Sequence, residues 1–227
     1  MVNKLSIIVP VYNEEKLIPT SLPEIFKLAI NKEVIVVDDG SSDKSLEILK
    51  GLKPQYEFLL ISQEKNQGKG AAVKRGLEEI SGDYFIICDA DLEYDPQDIV
   101  SLYSKIAFLS PETVIYGSRF KNRFQFSFHY FVNRFLTLLT NILFNSRLTD
   151  METCFKLVPA QALKQIKLSG QRFEIEPEIT ARLLKANYKI VEFPISYTRR
   201  TYLEGKKITA LDGWLAVKTL FKERLKF

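Results

Sequence analysis

Tyr84-Phe85-Ile86-Ile87-Cys88-Asp89-Ala90-Asp91-Leu92-Glu93 is an apolar run that ends in three carboxylates at alternate positions. It is too short for a helix of its own and is bounded by Gly82 and by the turn-forming Asp95-Pro96. Such a segment reads as a strand buried on both faces, which is the mark of a parallel sheet. Open α/β sheets bind their ligands at the carboxyl ends of strands, so Asp89, Asp91 and Glu93 emerge where a ligand is expected. Oxygen-only donors suit Mg²⁺ or Mn²⁺, ions that neutralise the phosphates of a nucleotide. A plain strand followed by a solvated acidic turn would look the same in isolation, so the flanking sequence has to decide.

Upstream, the same rhythm occurs three times. Lys4 to Pro10 is a β-branched run stopped by proline, and Glu14 to Ile30 has helical spacing through Leu17, Ile18, Leu22, Ile25, Phe26 and Ala29. Glu33 to Asp38 is a second strand, followed by the turn Asp39-Gly40-Ser41-Ser42-Asp43 and a helix carrying Leu46, Ile48 and Leu49. Glu57 to Ser62, the turn Asn66-Gln67-Gly68-Lys69-Gly70 and a helix over Ala71 to Ile80 make the third unit. The acidic strand, with Gln97 to Phe108 as its helix, is the fourth. Four successive β-α units predict an α/β fold, a Rossmann-like and mostly parallel central sheet flanked by helices, with one functional rim at the strand C-termini.

Downstream of Val114 to Arg119 the rhythm changes. Phe124 to Leu148 reads as a long helix with Phe128, Phe131, Phe135, Leu138, Leu139 and Ile142 in one stripe, while His129, Asn133 and Arg134 argue against a membrane span. An amphipathic helix lying on the core or on a membrane surface fits, and periodicity by itself favours the core. A short strand (Phe155 to Val158), helices over Pro159 to Ile166 and Glu176 to Ala186, and a strand from Lys189 to Tyr197 follow. No repeat or linker divides the chain, so one domain is expected, with residues 1–119 and 120–227 as two halves of a shared core.

Composition narrows the function classes. The 227 residues are 46% hydrophobic, enough for a sizeable core, and a formal charge of +4 gives no case for nucleic acid. Cys88 and Cys154 form neither a disulfide framework nor a zinc pattern, and no secretory signal begins the chain, which predicts a cytoplasmic setting. Lys218, Lys222, Arg224 and Lys226 among aromatic residues are compatible with an anionic membrane surface. Pro10-Val11-Tyr12-Asn13-Glu14 lacks the glycines of a dinucleotide fingerprint, and Gly68-Lys69-Gly70 lacks P-loop spacing. An EF-hand fails because Tyr94 stands where glycine is needed and Val100 where the last glutamate belongs.

Taken in order, Ile8 to Glu14, Val37 to Asp43, Asn66 to Gly70, Asp89 to Glu93 and Gly117-Ser118-Arg119 resemble the signature of family 2 inverting glycosyltransferases of the GT-A fold. Leu148 to Lys156, Phe173 to Glu178, Arg200 and Glu204 to Lys207 are similar to the dolichyl-phosphate or polyprenyl-phosphate mannose and glucose synthases. The resemblance implies that Pro10, Tyr12, Glu14, Asp39 and Lys69 bind the nucleotide-sugar donor. It implies that Asp89, Asp91 and Glu93 surround Mg²⁺ or Mn²⁺ and the diphosphate. It gives Arg119, Arg134 and Arg200 to the phosphate of a polyprenyl or dolichyl acceptor, and Asp150 to the reacting centre. UDP-glucose and GDP-mannose are both open as donors, with Leu148 to Lys156 inclining toward glucose. A lipid acceptor implies peripheral binding at the cytoplasmic face of a membrane, through the Phe124 to Phe144 helix and the segment with Leu211, Trp214, Leu215, Leu220 and Phe221, or a membrane-anchored protein partner. A hydroxyl acceptor, which would need Asp150 as a base, and a non-catalytic nucleotide-binding subunit are the alternatives.

Overall fold

The computed structural model describes residues 3–121, 128–200, 207 and 209–226. Among them, β1 (Leu5–Val11), β2 (Lys32–Asp38), β3 (Leu59–Ser62), β4 (Tyr84–Ile87), β5 (Val114–Ser118), β6 (Lys156–Pro159) and β7 (Ile190–Pro194) form one sheet in the order β3-β2-β1-β4-β6-β5-β7. The pairs β1–β2, β1–β4, β2–β3 and β5–β7 are parallel, whereas β6 is antiparallel to both β4 and β5. The mostly parallel sheet is as expected, and its central strands are apolar on both faces: Leu5, Ile7, Ile8, Val9, Phe85 and Ile86 are fully buried.

Reversal of β6 positions the site. Because β5 and β7 again run in the direction of β4, the C-terminal ends of β1, β2, β4, β5 and β7 share one rim. The loop that leads into the reversed β6 reaches that rim from its N-terminal side. Lys156, the first residue of β6, is buried and ion-paired with Glu176, which is why so short a strand can carry a charge inward.

The helices are α1 (Ile18–Phe26), α2 (Ser45–Leu52), α3 (Lys69–Leu77), α4 (Gln97–Ser104), α5 (Phe128–Phe144), α6 (Ile175–Lys185) and α7 (Ala210–Leu225). The helix expected from Glu14 starts later, since the amides of Leu17 and Ile18 both donate to the Glu14 carbonyl in a turn. The helix expected over Pro159 to Ile166 is a 3₁₀ turn, Ala160–Lys164; the Ala160 amide donates to the Asp83 carbonyl and ties its start to the sheet. Of the long helix expected over Phe124 to Leu148, α5 spans Phe128–Phe144, and residues 124–127 lie outside the described residues.

Packing of α5 overturns the core reading for Phe131, Phe135, Leu138 and Ile142 of its apolar stripe, while Leu139 packs against the core. Leu136, Thr137 and Thr140 face inward with Leu148, Met151, Ala216 and Leu220, while Phe131, Phe135, Leu138 and Ile142 are 48–70% exposed. The threonines satisfy their hydroxyls locally: Thr140 donates to the Leu136 carbonyl at 2.9 Å and Thr137 accepts the Met151 amide at 3.1 Å. On α7 a matching row, Leu211, Trp214, Phe221 and Leu225, is 45–74% exposed, with Leu220 buried and Leu215 half-buried.

Glu33 fastens the base of the parallel half. Its carboxylate accepts Lys4 Nζ at 2.8 Å, Ser6 Oγ at 2.5 Å, and the Ser81 amide and hydroxyl at 2.6 Å each, joining β1, β2 and the turn before β4. Burial works against its charge, but these hydrogen bonds outweigh it and hold the pKa down to about 2. A carboxylate depressed in the folded state stabilises fully above its ordinary value of about 4.3, and the contribution is lost as pH falls toward 2. Urea unfolding of the wild type is therefore expected to weaken between about pH 4.5 and 2 more steeply than that of Glu33→Gln. Parallel pH curves for the two proteins would rule this out.

Candidate active site

At the shared rim lies a cavity of about 360 Å³, lined by Pro10, Tyr12, Glu14, Asp39, Lys69, Asp89, Asp91, Glu93, Arg119 and Arg200. These are the sequence-predicted site residues with two exceptions, Asp150 and Arg134. Each arrives for a simple reason: Pro10 lies at the end of β1 and Tyr12 follows it, Asp39 follows β2, Asp89 and Asp91 follow β4, Arg119 follows β5, and Arg200 follows β7. Lys69 opens α3, whose approach depends on Gly68. That residue has φ +98°, and a Cβ there would stand 2.5 Å from the Gln171 carbonyl oxygen.

Asp39 lines the cavity but its acceptors are taken by the chain. Its two oxygens receive the Gln67 and Gly68 amides at 2.8 and 2.7 Å, Asn66 Nδ2 at 2.9 Å and Gln63 Nε2 at 3.1 Å. Burial pushes its pKa upward against the Gln67 and Gly68 hydrogen bonds. The carboxylate thus shapes the 63–68 loop instead of offering free oxygens to a base.

The acidic turn separates its three members. Asp89 Oδ2 pairs with Lys69 Nζ at 2.7 Å. Glu93 accepts the Tyr197 hydroxyl and the Arg200 amide, each at 2.9 Å, so it anchors the segment after β7. Leu92 between them has φ +58°, a left-handed conformation that a leucine adopts only when its neighbours are fixed, here with the Glu93 amide on Asp91 Oδ1 at 3.0 Å. Asp91 is left between like charges: burial, then Asp89 and Glu93, push its pKa up to about 7. No set of three or more His, Cys, Asp or Glu side chains among the described residues converges as a metal cage. Asp91 nevertheless fits one side of a cation site, because the cations near it are engaged elsewhere: Arg200 Nη1 stands 3.9 Å away and is also drawn to Glu14 at 3.3 Å, and Lys69 pairs with Asp89 and Glu176.

Cations line the rest. Arg119, Arg172, Arg200 and Lys207 join Lys69 around the cavity, and each is held by a carboxylate: Asp150, Asp212, Glu14, Glu14 and Asp89 respectively. The more exposed of these cations, Arg172, Arg200 and Lys207, can turn to an anionic ligand more readily than Arg119, whose partner Asp150 is fully buried. Desolvation opposes the charge of Lys69, yet Asp89 and Glu176 hold its pKa well above the ordinary value.

Asp150 is fully buried behind Arg119. Its Oδ2 accepts the Arg119 amide at 2.9 Å and Nε at 2.8 Å, and its Oδ1 accepts Nη2 at 2.7 Å. The guanidinium is also packed on Phe120, Tyr197 and Tyr94, 5.0, 5.2 and 5.9 Å from their ring centroids. Asp150 is therefore not among the cavity-lining residues and holds Arg119 in place. Arg134 is exposed and donates from Nη1 to the Thr149 carbonyl at 2.8 Å, clamping the same loop, while His129 and Asn133 of α5 form the cavity wall. Glu192 completes the clamp by accepting the Thr149 amide at 2.8 Å and the Asp150 amide at 3.0 Å.

Two lining residues carry chemistry that the sequence reading did not assign. Glu176 links Lys69 at 3.1 Å to Lys156 at 2.6 Å, so that Asp89, Lys69, Glu176 and Lys156 form an alternating chain of charge running from the cavity wall to buried Glu176 and Lys156. Glu152 sits in the loop before β6. Burial raises its pKa to about 7, with Lys156 and Arg119 favouring the charge and Glu176 and Asp150 opposing it. The signal in the sequence was the density of charge in Asp150-Met151-Glu152 and Glu174-Ile175-Glu176 beside otherwise apolar segments.

The model of Glycosyl transferase family 2 matches residues 6–167. The chain is 28% identical to a dolichyl-phosphate beta-glucosyltransferase of Trichomonas vaginalis, covering 95% of this chain and 71% of that protein. It is 29% identical to a dolichol-phosphate mannosyltransferase of Pyrococcus furiosus, covering 89% of this chain and 59% of that protein. Among solved structures it resembles glucosyl-3-phosphoglycerate synthase of Mycobacterium tuberculosis in complex with Mn²⁺, uridine diphosphate and phosphoglyceric acid, with a TM-score of 0.72, 17% identity and coverage of 98% and 79% of the two chains.

Proposed function

This chain belongs to glycosyl transferase family 2, and we propose that it transfers a hexose from UDP-glucose or GDP-mannose to a polyprenyl or dolichyl phosphate with inversion. The observation that carries this reading is the double character of α5. It gives His129 and Asn133 to the wall of a cavity ringed by cations and turns Phe131, Phe135, Leu138 and Ile142 outward. An anionic head group and an apolar tail are thereby served by one helix. The names of the dolichyl-phosphate relatives support the same acceptor.

In this reading residues 1–119 form the donor half and residues 120–227 the acceptor half of one domain. Tyr12 and Glu14 border the nucleoside, Lys69 the diphosphate, and Arg119 and Arg200 the acceptor phosphate. A phosphate monoester is anionic near neutral pH, so it attacks the anomeric carbon without a side-chain base, and the arginines hold its oxygens in line. Asp91, with Asp89 beside it, would hold Mg²⁺ or Mn²⁺, which supplies charge to the departing nucleoside diphosphate. Glu93 would act on the site by fixing Tyr197 and Arg200. The hydroxyl-acceptor alternative loses its base, because both Asp150 oxygens are bonded to Arg119.

The exposed rows of α5 and α7, with Lys218, Lys222, Arg224 and Lys226 on or next to α7, fit peripheral binding to an anionic membrane surface. Among the described residues no helix is long and apolar enough to cross a membrane. The test combines both points: purified protein, Mg²⁺ or Mn²⁺, vesicles carrying polyprenyl phosphate, and radiolabelled nucleotide sugars. Label is expected to enter the lipid from one donor and protein to float with the vesicles. Label reaching no lipid from any donor would sink the reading.

A further inference from the structure

We propose that Glu152 reads the hexose of the donor: its carboxyl hydrogen-bonds a hydroxyl of the bound sugar and helps select which hexose is transferred. This rests on the donor reading above and goes further by naming the residue that would recognise the sugar. The geometry is specific. Glu152 lines the cavity from the loop before the reversed strand β6, while the Asp89–Asp91 turn lines it from the end of β4.

Its Oε1 is sealed from solvent and has no hydrogen-bond partner among the described residues. The charged groups around it are engaged elsewhere: Arg119 with Asp150, and Lys156 with Glu176. A buried carboxyl oxygen left without a partner is unfavourable until a ligand supplies the missing hydrogen bond. Phosphates do not fit, since they carry the same sign and the cavity gives them Lys69, Arg119 and Arg200 instead. The nucleoside is bordered by Tyr12 and Glu14. What remains between is uncharged and rich in hydroxyls, and it is the hexose. With its pKa raised to about 7, the carboxyl exists near neutral pH in both forms, able to accept from a sugar hydroxyl or to donate to one.

Calorimetric titration of the full chain with Mg²⁺ and either the nucleotide sugar or the matching nucleoside diphosphate separates sugar contacts from all others. Glu152→Ala is expected to weaken nucleotide-sugar binding about 5- to 100-fold and to leave nucleoside diphosphate binding within about twofold. Glu152→Gln, which keeps the hydrogen-bonding shape, is expected to restore most of the affinity and of the transfer rate. A donor lacking the contacted hydroxyl should bind both wild type and Glu152→Ala equally. Equal losses for both ligands, or loss for neither, would overturn the proposal. So would a Glu152→Gln protein that binds donor normally yet transfers no sugar, which is the behaviour of a general base. The expected binding pattern in a protein that glycosylates no polyprenyl phosphate would refute the acceptor reading and leave Glu152 as the sugar-reading residue.

Discussion

Asp91→Asn is expected to abolish metal-dependent donor binding, with transfer falling at least about 100-fold, while the metal-free protein becomes more stable. The two effects have one cause. Asp91 is partly buried beside Asp89 and Glu93, its side chain 24% exposed, and desolvation with these like charges pushes its pKa up to about 7, so at neutral pH its ionisation costs more in the folded chain than in the unfolded one. An acid whose folded pKa lies above its unfolded value destabilises as pH rises from about 4 through 7, because the unfolded state releases the proton more easily. A neutral amide in place of the Asp91 carboxyl removes that penalty at neutral pH. Each kcal/mol relieved raises the melting midpoint by about 2–4 °C in a chain of this size. A bound divalent cation reverses the sign for the wild type, so Mg²⁺ with nucleotide should stabilise wild type and leave the variant unchanged. Thermal melting of both proteins with and without ligand reads the exchange. A variant that melts lower without metal, or that still gains stability from metal and nucleotide together, would remove Asp91 from the ligand set.

Burial also explains which parts of the molecule were legible in the sequence. The strands β1, β2 and β4 are buried on both faces, and a continuous apolar run with a polar end states both the strand and the location of its functional tip. Strand β6 was harder. The segment itself was found, but its reversal follows from pairing with two strands distant in sequence, Tyr84–Phe85 on one side and Ile115–Tyr116 on the other. Periodicity identified the stripe on α5 but not its direction, because small buried residues such as Thr137 and Thr140 let the opposite face pack closely. The carboxylates sort in the same way. Their placement near the rim was readable from strand ends, whereas their partners were not. Asp39 is filled by its own loop, Glu93 is tied to Tyr197 and Arg200, and Asp150 is locked behind Arg119, all through contacts 24 to 107 residues apart. Glu152 looked like one more charge in a loop until the reversed strand brought it to the cavity.

Asp150→Ala is expected to destabilise the chain by about 3–5 kcal/mol and to impair acceptor use more than donor binding. Removing one partner of a buried pair leaves the other charged and desolvated, and Arg119 is only 6% exposed. The loss goes beyond the pair, because Asp150 also receives the Arg119 amide, and its own amide is held by Glu192. Without the carboxylate the guanidinium would turn toward water or the cavity, so the acceptor phosphate would meet an arginine in the wrong place. Asp150→Asn keeps the shape and part of the hydrogen bonding, and should therefore retain more stability than alanine while still loosening the bidentate grip. Urea unfolding gives the stability, and KM for polyprenyl phosphate measured beside the affinity for the nucleotide sugar gives the division of labour. With a positioning role, acceptor KM rises with the loss of stability and the pH profile keeps its shape. With a base role, Asp150→Asn would remain as stable as wild type, lose its turnover and lose the acid limb of the pH profile. The second pattern would contradict a carboxylate whose two oxygens already serve three donors of one arginine.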